Sequence, residues 1–150
     1  MKNSPAGARS KPNRKRGAAP KVRSSAVTLI NASSTRLPKL SARELKQEIL
    51  GNFYELSVIF VKPPKSRELN RIYRKKDKPT NILSFPLTKK IGELYLCPGV
   101  IKKELKLFER SYKDHLTALL IHGMFHLKGL THGSTMEAKE RQVRKKFDIE

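Results

Sequence analysis

A chain of 150 residues with 33 Lys+Arg against 13 Asp+Glu, a formal charge of +20, has room for one domain around one core and a strongly positive surface. Such a field attracts polyanions, nucleic acid first and an anionic membrane second. Its longest apolar runs, LSVIFV and LTALLIHGMF, fall far short of the roughly 20 residues that span a bilayer. No apolar signal segment follows Met1, and the single cysteine, Cys97, forms no internal disulfide. The expectation is a cytoplasmic protein with no membrane partner.

Eleven Lys/Arg precede the first acid, Glu44, and eight of them fall in residues 1–25, which contain three prolines and no Leu, Ile, Phe or Tyr. That composition cannot offset the entropy of ordering, so residues 1–25 read as a disordered basic tail. Flexible Lys/Arg can track phosphates, which makes the tail a candidate RNA-binding arm. A solubilising tail and a transit peptide are the alternatives. The lack of an amphipathic apolar face counts against the second.

Residues 26–150 read as the folded domain. AVTLINAS is a β-branched run ending in turn residues, a strand. SARELKQEILG predicts a short helix with a capping box between Ser41 and Glu44 and a stop at Gly51. YELSVIFV is a second strand, cut off by Pro63-Pro64. SRELNRIYRKK predicts a helix opening at Ser66, with Leu69, Ile72 and Tyr73 on one stripe. NILSFPL and IGELYLC are further strands, and Cys97 at the end of the latter reads as a buried apolar residue rather than a metal ligand. VIKKELKLFER, HLTALLIHGMFHLKG and TMEAKERQVRKKFD then predict helices. Four strands and about five helices give the α+β class: one domain, an about four-stranded mixed sheet with helices packed on it.

The chemistry concentrates in HGMFHLKGLTH, residues 122–132. On a helix, His122 and His126 stand one above the other, four residues apart, and direct two imidazoles to one point. Gly129 can take the positive φ that ends the helix and turns His132 back as a third ligand. The metal site is thus expected in a cleft formed by a buried helix and the following loop. Three imidazoles without a fourth protein ligand leave a position for water, the catalytic rather than the structural pattern of zinc. Zinc bound there makes its water acidic near neutral pH. One Zn2+ per chain is expected from the ligand type, although nickel, copper or cobalt also accept three nitrogens. His115 reads instead as a core imidazole.

Gly123 stands where His-Glu-x-x-His proteases carry the glutamate that protonates a leaving amine. Glu137 and Glu140 follow, but nothing in the sequence brings them to the metal. A phosphodiester has a better leaving group, and RNA supplies its own 2′-hydroxyl nucleophile, so a metal and a cation on the phosphate suffice. RNA is the substrate class that suits the charge.

The residues that carry this reading resemble the YbeY family of bacterial endoribonucleases in ribosomal RNA maturation. HGMFHLKGLTH is similar to the family's His-Gly-x-x-His-Leu-x-Gly-x-x-His signature. LNRIYRKKDKPTNILSFPL at 69–87 resembles a second family block, and IGELYLCP at 91–98 a third. The resemblance implies that His122, His126 and His132 hold zinc. It implies that Arg74 is a catalytic residue of the same cleft, where a guanidinium can stabilise charge on a phosphoryl oxygen. Lys76, Lys78, Thr80, Asn81 and Ser84 are the substrate-binding candidates of the KDKPTNILSFP segment. The implied activity is single-strand-specific cleavage in ribosomal RNA maturation and ribosome quality control, with ribosomal RNA and ribosomal proteins of the small subunit as partners. The chain departs from the pattern at Leu130-Thr131, where members usually carry Tyr-Asp, at Glu93, where they carry Asp, and at Lys75, a place often filled by glycine. A non-catalytic, zinc-containing RNA-binding assembly factor is the rival reading, and the missing carboxylates at 123 and 131 and the long basic tail favour it. A hydrolase of another substrate is a second rival, which Gly123 and the charge oppose.

Overall fold

The structure, a computed structural model, describes residues 26–149; the expected basic tail, residues 1–25, lies outside them. In chain order the elements are β1 (Val27–Asn31), α1 (Ala42–Ile49), β2 (Glu55–Phe60), α2 (Pro63–Arg74), β3 (Ile82–Thr88), β4 (Ile91–Leu96), α3 (Pro98–Glu104), a 3-10 turn (Leu105–Leu107), α4 (Tyr112–Leu127) and α5 (Ser134–Lys146). The strands form one mixed sheet in the order β1-β2-β4-β3. β1, β2 and β4 run parallel, and β3 returns antiparallel to β4 around the Lys89-Lys90 turn. The α+β sheet-and-helix layering expected from the sequence is the one observed. Among the described residues no helix is long and apolar enough to cross a membrane.

Alternation in β2 and β4 decides which sheet face is covered. Leu56, Val58, Phe60, Leu94 and Leu96 are buried, and the residues between them, Ser57, Ile59 and Tyr95, are only half-buried. Leu45, Leu116, Leu120, Ile121 and Met124 from α1 and α4 join them in one core. Pro86 cannot donate to a ladder, and it sits on the edge strand β3 at a register shift against β4.

α4 is apolar nearly all round and crosses β3 and β4, flanked by α1 and α5. Ser111 caps it by accepting from the Asp114 amide at 3.1 Å. Gly123 fixes how closely it approaches the sheet. A Cβ there would stand 2.8 Å from side-chain carbons of both Ile82 and Leu94. The residue that replaces the protease glutamate is therefore a packing requirement: no side chain fits between α4 and the sheet at that point.

Four local expectations differ from the structure. Ser41 precedes α1 but makes no side-chain capping bond, so the box with Glu44 is not formed. α2 opens at Pro63 rather than Ser66, because proline at the first helical position loses no needed N–H. Ser66 lies inside the helix with its hydroxyl turned to the next loop. The stripe of Leu69, Ile72 and Tyr73 is not buried as a unit: Ile72 is 50% and Tyr73 62% exposed, and the buried residues of α2 are Ser66, Leu69 and Asn70. The helix predicted over VIKKELKLFER ends at Glu104, and after the 3-10 turn Phe108 is extended.

Candidate metal centre and cleft

His122 and His126 occupy the last turns of α4, half-buried. Gly129 follows with φ +104, and the Leu130 amide donates to the Phe125 carbonyl, closing the helix with a left-handed turn. The reversed chain brings His132 beside the pair, its ring centroid 5.0 Å from that of His122 and 4.7 Å from that of His126. One ligand nitrogen from each of the three lies within 4.8 Å of the others.

The hydrogen bonds on the far sides of the rings set the tautomers. His126 Nδ1 lies 3.1 Å from the Leu130 carbonyl, which can only accept, so that nitrogen carries the proton. His122 Nδ1 lies 2.6 Å from Glu140 Oε2, and an ionised carboxylate imposes the same tautomer. In the neutral, metal-binding form the two rings turn lone pairs toward each other, Nε2 to Nε2 at 3.2 Å. Two acceptors facing at that distance repel unless a cation lies between them. Two nitrogens bound about 2.0–2.1 Å from one tetrahedral ion stand roughly 3.3 Å apart, so the donor set fits a metal ion. Burial first, and then the charge of His122, hold the His126 imidazole below the ordinary histidine range, which favours the neutral, ligating form.

The triad lies in a cleft of about 930 Å³. Arg74, Thr80, Asn81, Ser84, Phe108, Arg110, Glu140 and Arg144 line it together with the histidines. Arg74 ends α2 and is exposed, with no carboxylate partner among the described residues. The loop after it is sewn down from α2. Ser66 Oγ donates to the Thr80 carbonyl at 2.8 Å and accepts from the Thr80 amide at 2.9 Å, and Asn70 Nδ2 donates to the Lys78 carbonyl at 2.8 Å. Asn81 is committed elsewhere, its amide donating to both Glu104 oxygens at 3.2 and 3.1 Å. Ser84 Oγ sits 3.5 Å from the Gly123 carbonyl.

Lys76 and Lys78 do not line this cleft. Lys78 borders a separate depression with Pro63, Arg67 and Asp77. Cys97 is buried at the start of α3 and is not among the clustered ligands. His115 is buried as expected, with Nε2 3.1 Å from Glu104 Oε1, but Nδ1 has no partner among the described residues. The residues that sequence reasoning missed are Glu140 and Arg144 from α5, and Phe108 and Arg110 from the loop before α4. Their only signal was position after the histidines or within an expected helix, and neither determines a contact across the fold.

Fold and site together define a small α+β protein in which one buried helix and its closing turn present three imidazoles to an arginine-lined cleft. The family model for endoribonuclease YbeY matches residues 24–148, and the chain belongs to that family of endoribonucleases. An endoribonuclease YbeY of Thermotoga neapolitana is 32% identical over 106 residues, covering 70% of this chain and 68% of the relative. One of Legionella pneumophila is 36% identical over 118 residues, covering 73% and 72%. The solution structure of a Thermotoga maritima protein superposes with a TM-score of 0.60 at 26% identity, covering 82% of this chain and 92% of that one.

Proposed function

We propose that the protein is a zinc-dependent endoribonuclease that cleaves single-stranded RNA in ribosomal RNA maturation and ribosome quality control, in the cytoplasm, with one Zn2+ per chain on His122, His126 and His132. The observation that carries this reading is the pair of imidazole Nε2 atoms turned to each other at 3.2 Å beside His132, in a cleft with Arg74 on its lip. A bound metal supplies Lewis acidity at the phosphoryl group.

The protein's own groups do the rest. Glu140 and the Leu130 carbonyl hold the two Nδ1 protons, which keeps both Nε2 lone pairs free for the ion. The Arg74 guanidinium binds non-bridging phosphate oxygens and gains strength as their charge grows. Thr80 and Ser84 meet the strand in the same cleft, while Asn81 ties its segment to Glu104. Lys76 and Lys78 meet phosphates beyond the cleft. The acid-free segment 1–25 acts as a basic arm on ribosomal RNA, and ribosomal proteins of the small subunit are further partners. The rival reading, a non-catalytic assembly factor, drew on missing carboxylates at 123 and 131; Glu140 weighs against it.

Elemental analysis and a cleavage assay on unstructured RNA test the proposal together. One zinc per chain is expected, lost in the His122→Ala/His126→Ala double variant, with cleavage only by the loaded wild type. Retention of metal by the double variant, or cleavage that survives a chelator, contradicts it.

A further inference from the structure

Tyr73 stands in the last turn of α2, next to Arg74, and is 62% exposed. An aromatic ring left in water adds little to folding. Its position is fixed all the same. Phe85 on β3 meets it edge to face, ring centroids 4.9 Å apart at 64°. Phe85 is half-buried and is met in turn by Tyr95, centroids 5.6 Å apart at 78°. The Tyr95 hydroxyl donates to Glu93 Oε1 at 3.2 Å, which anchors the row on β4. An edge-to-face contact engages one side of a ring at most. Tyr73 therefore presents an open flat surface on a braced ring.

That ring belongs to the cleft. Tyr73, Arg74 and Phe85 border it together with His122, His126 and His132. Neither Tyr73 nor Arg74 is used by the fold for polar contacts: among the described residues neither side chain makes a hydrogen bond or an ion pair. A nucleotide offers the matching pair of groups, a flat base and a phosphate anion. Stacking suits the ring, and the guanidinium suits the phosphate. Inside a duplex the faces of each base are covered by its neighbours, so an open ring on the cleft wall favours an unpaired base.

We propose that Tyr73 is a base-stacking residue of the cleft: an unpaired base of the RNA strand lies on its open face, the adjoining phosphate meets Arg74, and Phe85 braces the ring. The assignment rests on the endoribonuclease reading and deepens it. The cleft then engages a base as well as the backbone. Stacking tolerates every base, so the contact selects for a single strand rather than for a sequence. A base held there also sets the strand's register in the cleft.

The test compares two short labelled probes of equal length and charge, a 2′-O-methyl oligouridylate and a chain of abasic residues on the same backbone. Both lack a free 2′-hydroxyl, and fluorescence anisotropy gives the affinities. Wild type is expected to bind the uridylate more tightly. Tyr73→Ala should weaken the uridylate about tenfold and leave the abasic chain unchanged. Tyr73→Leu, which keeps an apolar contact with Phe85, should do the same. Tyr73→Phe keeps the ring and should bind both probes as wild type does. The chain has no tryptophan, so Tyr73→Trp supplies a single indole at the site. Unlabelled uridylate should quench its fluorescence, and the abasic chain should not. Equal losses on both probes, no loss on the uridylate, or an indole that responds to both alike overturns the assignment. So does a loss in Tyr73→Phe as large as in Tyr73→Ala, or a wild type that binds the probes equally or not at all. Failure of the endoribonuclease reading appears separately, as absence of metal-dependent cleavage of unmodified RNA by wild type.

Discussion

Glu140 on α5 reaches across to α4 and places Oε2 2.6 Å from Nδ1 of His122, with only 13% of its side chain exposed. A carboxylate in that position fixes the ring and raises the basicity of its other nitrogen. Glu140→Ala is expected to lower metal affinity by about 10–100-fold, read by competition with a chromogenic chelator. Glu140→Gln, which can still accept a hydrogen bond, should lose less. An unchanged affinity in the alanine variant would mean that His122 is oriented by packing alone.

Gly123 allows α4 to touch the sheet. Gly123→Ala puts a methyl 2.8 Å from Ile82 and Leu94 carbons and should cost about 1–3 kcal/mol in denaturant unfolding. Combining it with Leu94→Val should restore part of the loss, because the clash is with the leucine's outer methyl groups. Wild-type stability in the single variant would show that α4 shifts freely.

The sequence made the site's first layer legible and hid its second. His122 and His126 are linked by helical periodicity, and Gly129 announces the turn that returns His132; these are local rules acting within eleven residues. Element order was equally legible, since Gly51, Pro63 and Gly129 punctuate apolar runs. Glu140, Arg110, Arg144 and Phe108 reach the cleft only through the packing of α5 and the loop before α4, and no local pattern encodes that. Ser66 misled for a related reason. Serine before an apolar run reads as a cap, but here the prolines begin the helix and Ser66 grips Thr80 fourteen residues on.

Lys75 ends α2 with φ 60 and ψ 31, a left-handed conformation that costs a side-chain-bearing residue; its amide donates to the Arg71 carbonyl and the Lys76 amide to that of Asn70. Lys75→Gly should therefore raise stability by about 0.5–1 kcal/mol, net of glycine's greater freedom when unfolded. A drop in melting temperature would show instead that the lysine side chain has contacts that outweigh the strain.

The imidazole of His126 titrates below the ordinary histidine range, chiefly through burial, then through His122; the Leu130 carbonyl pulls the other way. With the folded value lowered, the unfolded chain takes up its proton first as pH falls. The stability this group contributes to the metal-free protein is present above about pH 6.5 and lost as pH falls through the folded value. Melting temperatures of the metal-free wild type should fall more between about pH 7.5 and about pH 5.5 than those of His126→Gln. Equal falls would place the acid sensitivity elsewhere.

Arg74 gives the most direct measurement of the central claim, that the histidine triad and this arginine act together on a phosphodiester. Single-turnover cleavage of an unstructured RNA by the zinc-loaded protein is compared with that by Arg74→Ala, with binding measured in parallel. If the guanidinium acts on the developing charge, the rate falls about a hundredfold or more while affinity changes little, since one phosphate contact among many is a small share of binding. Arg74→Lys should recover only part, because a point charge lacks the two-pronged geometry. His122→Ala and chelator-treated samples must show no cleavage. A rate near wild type in Arg74→Ala, or a loss seen in binding alone, would contradict the account.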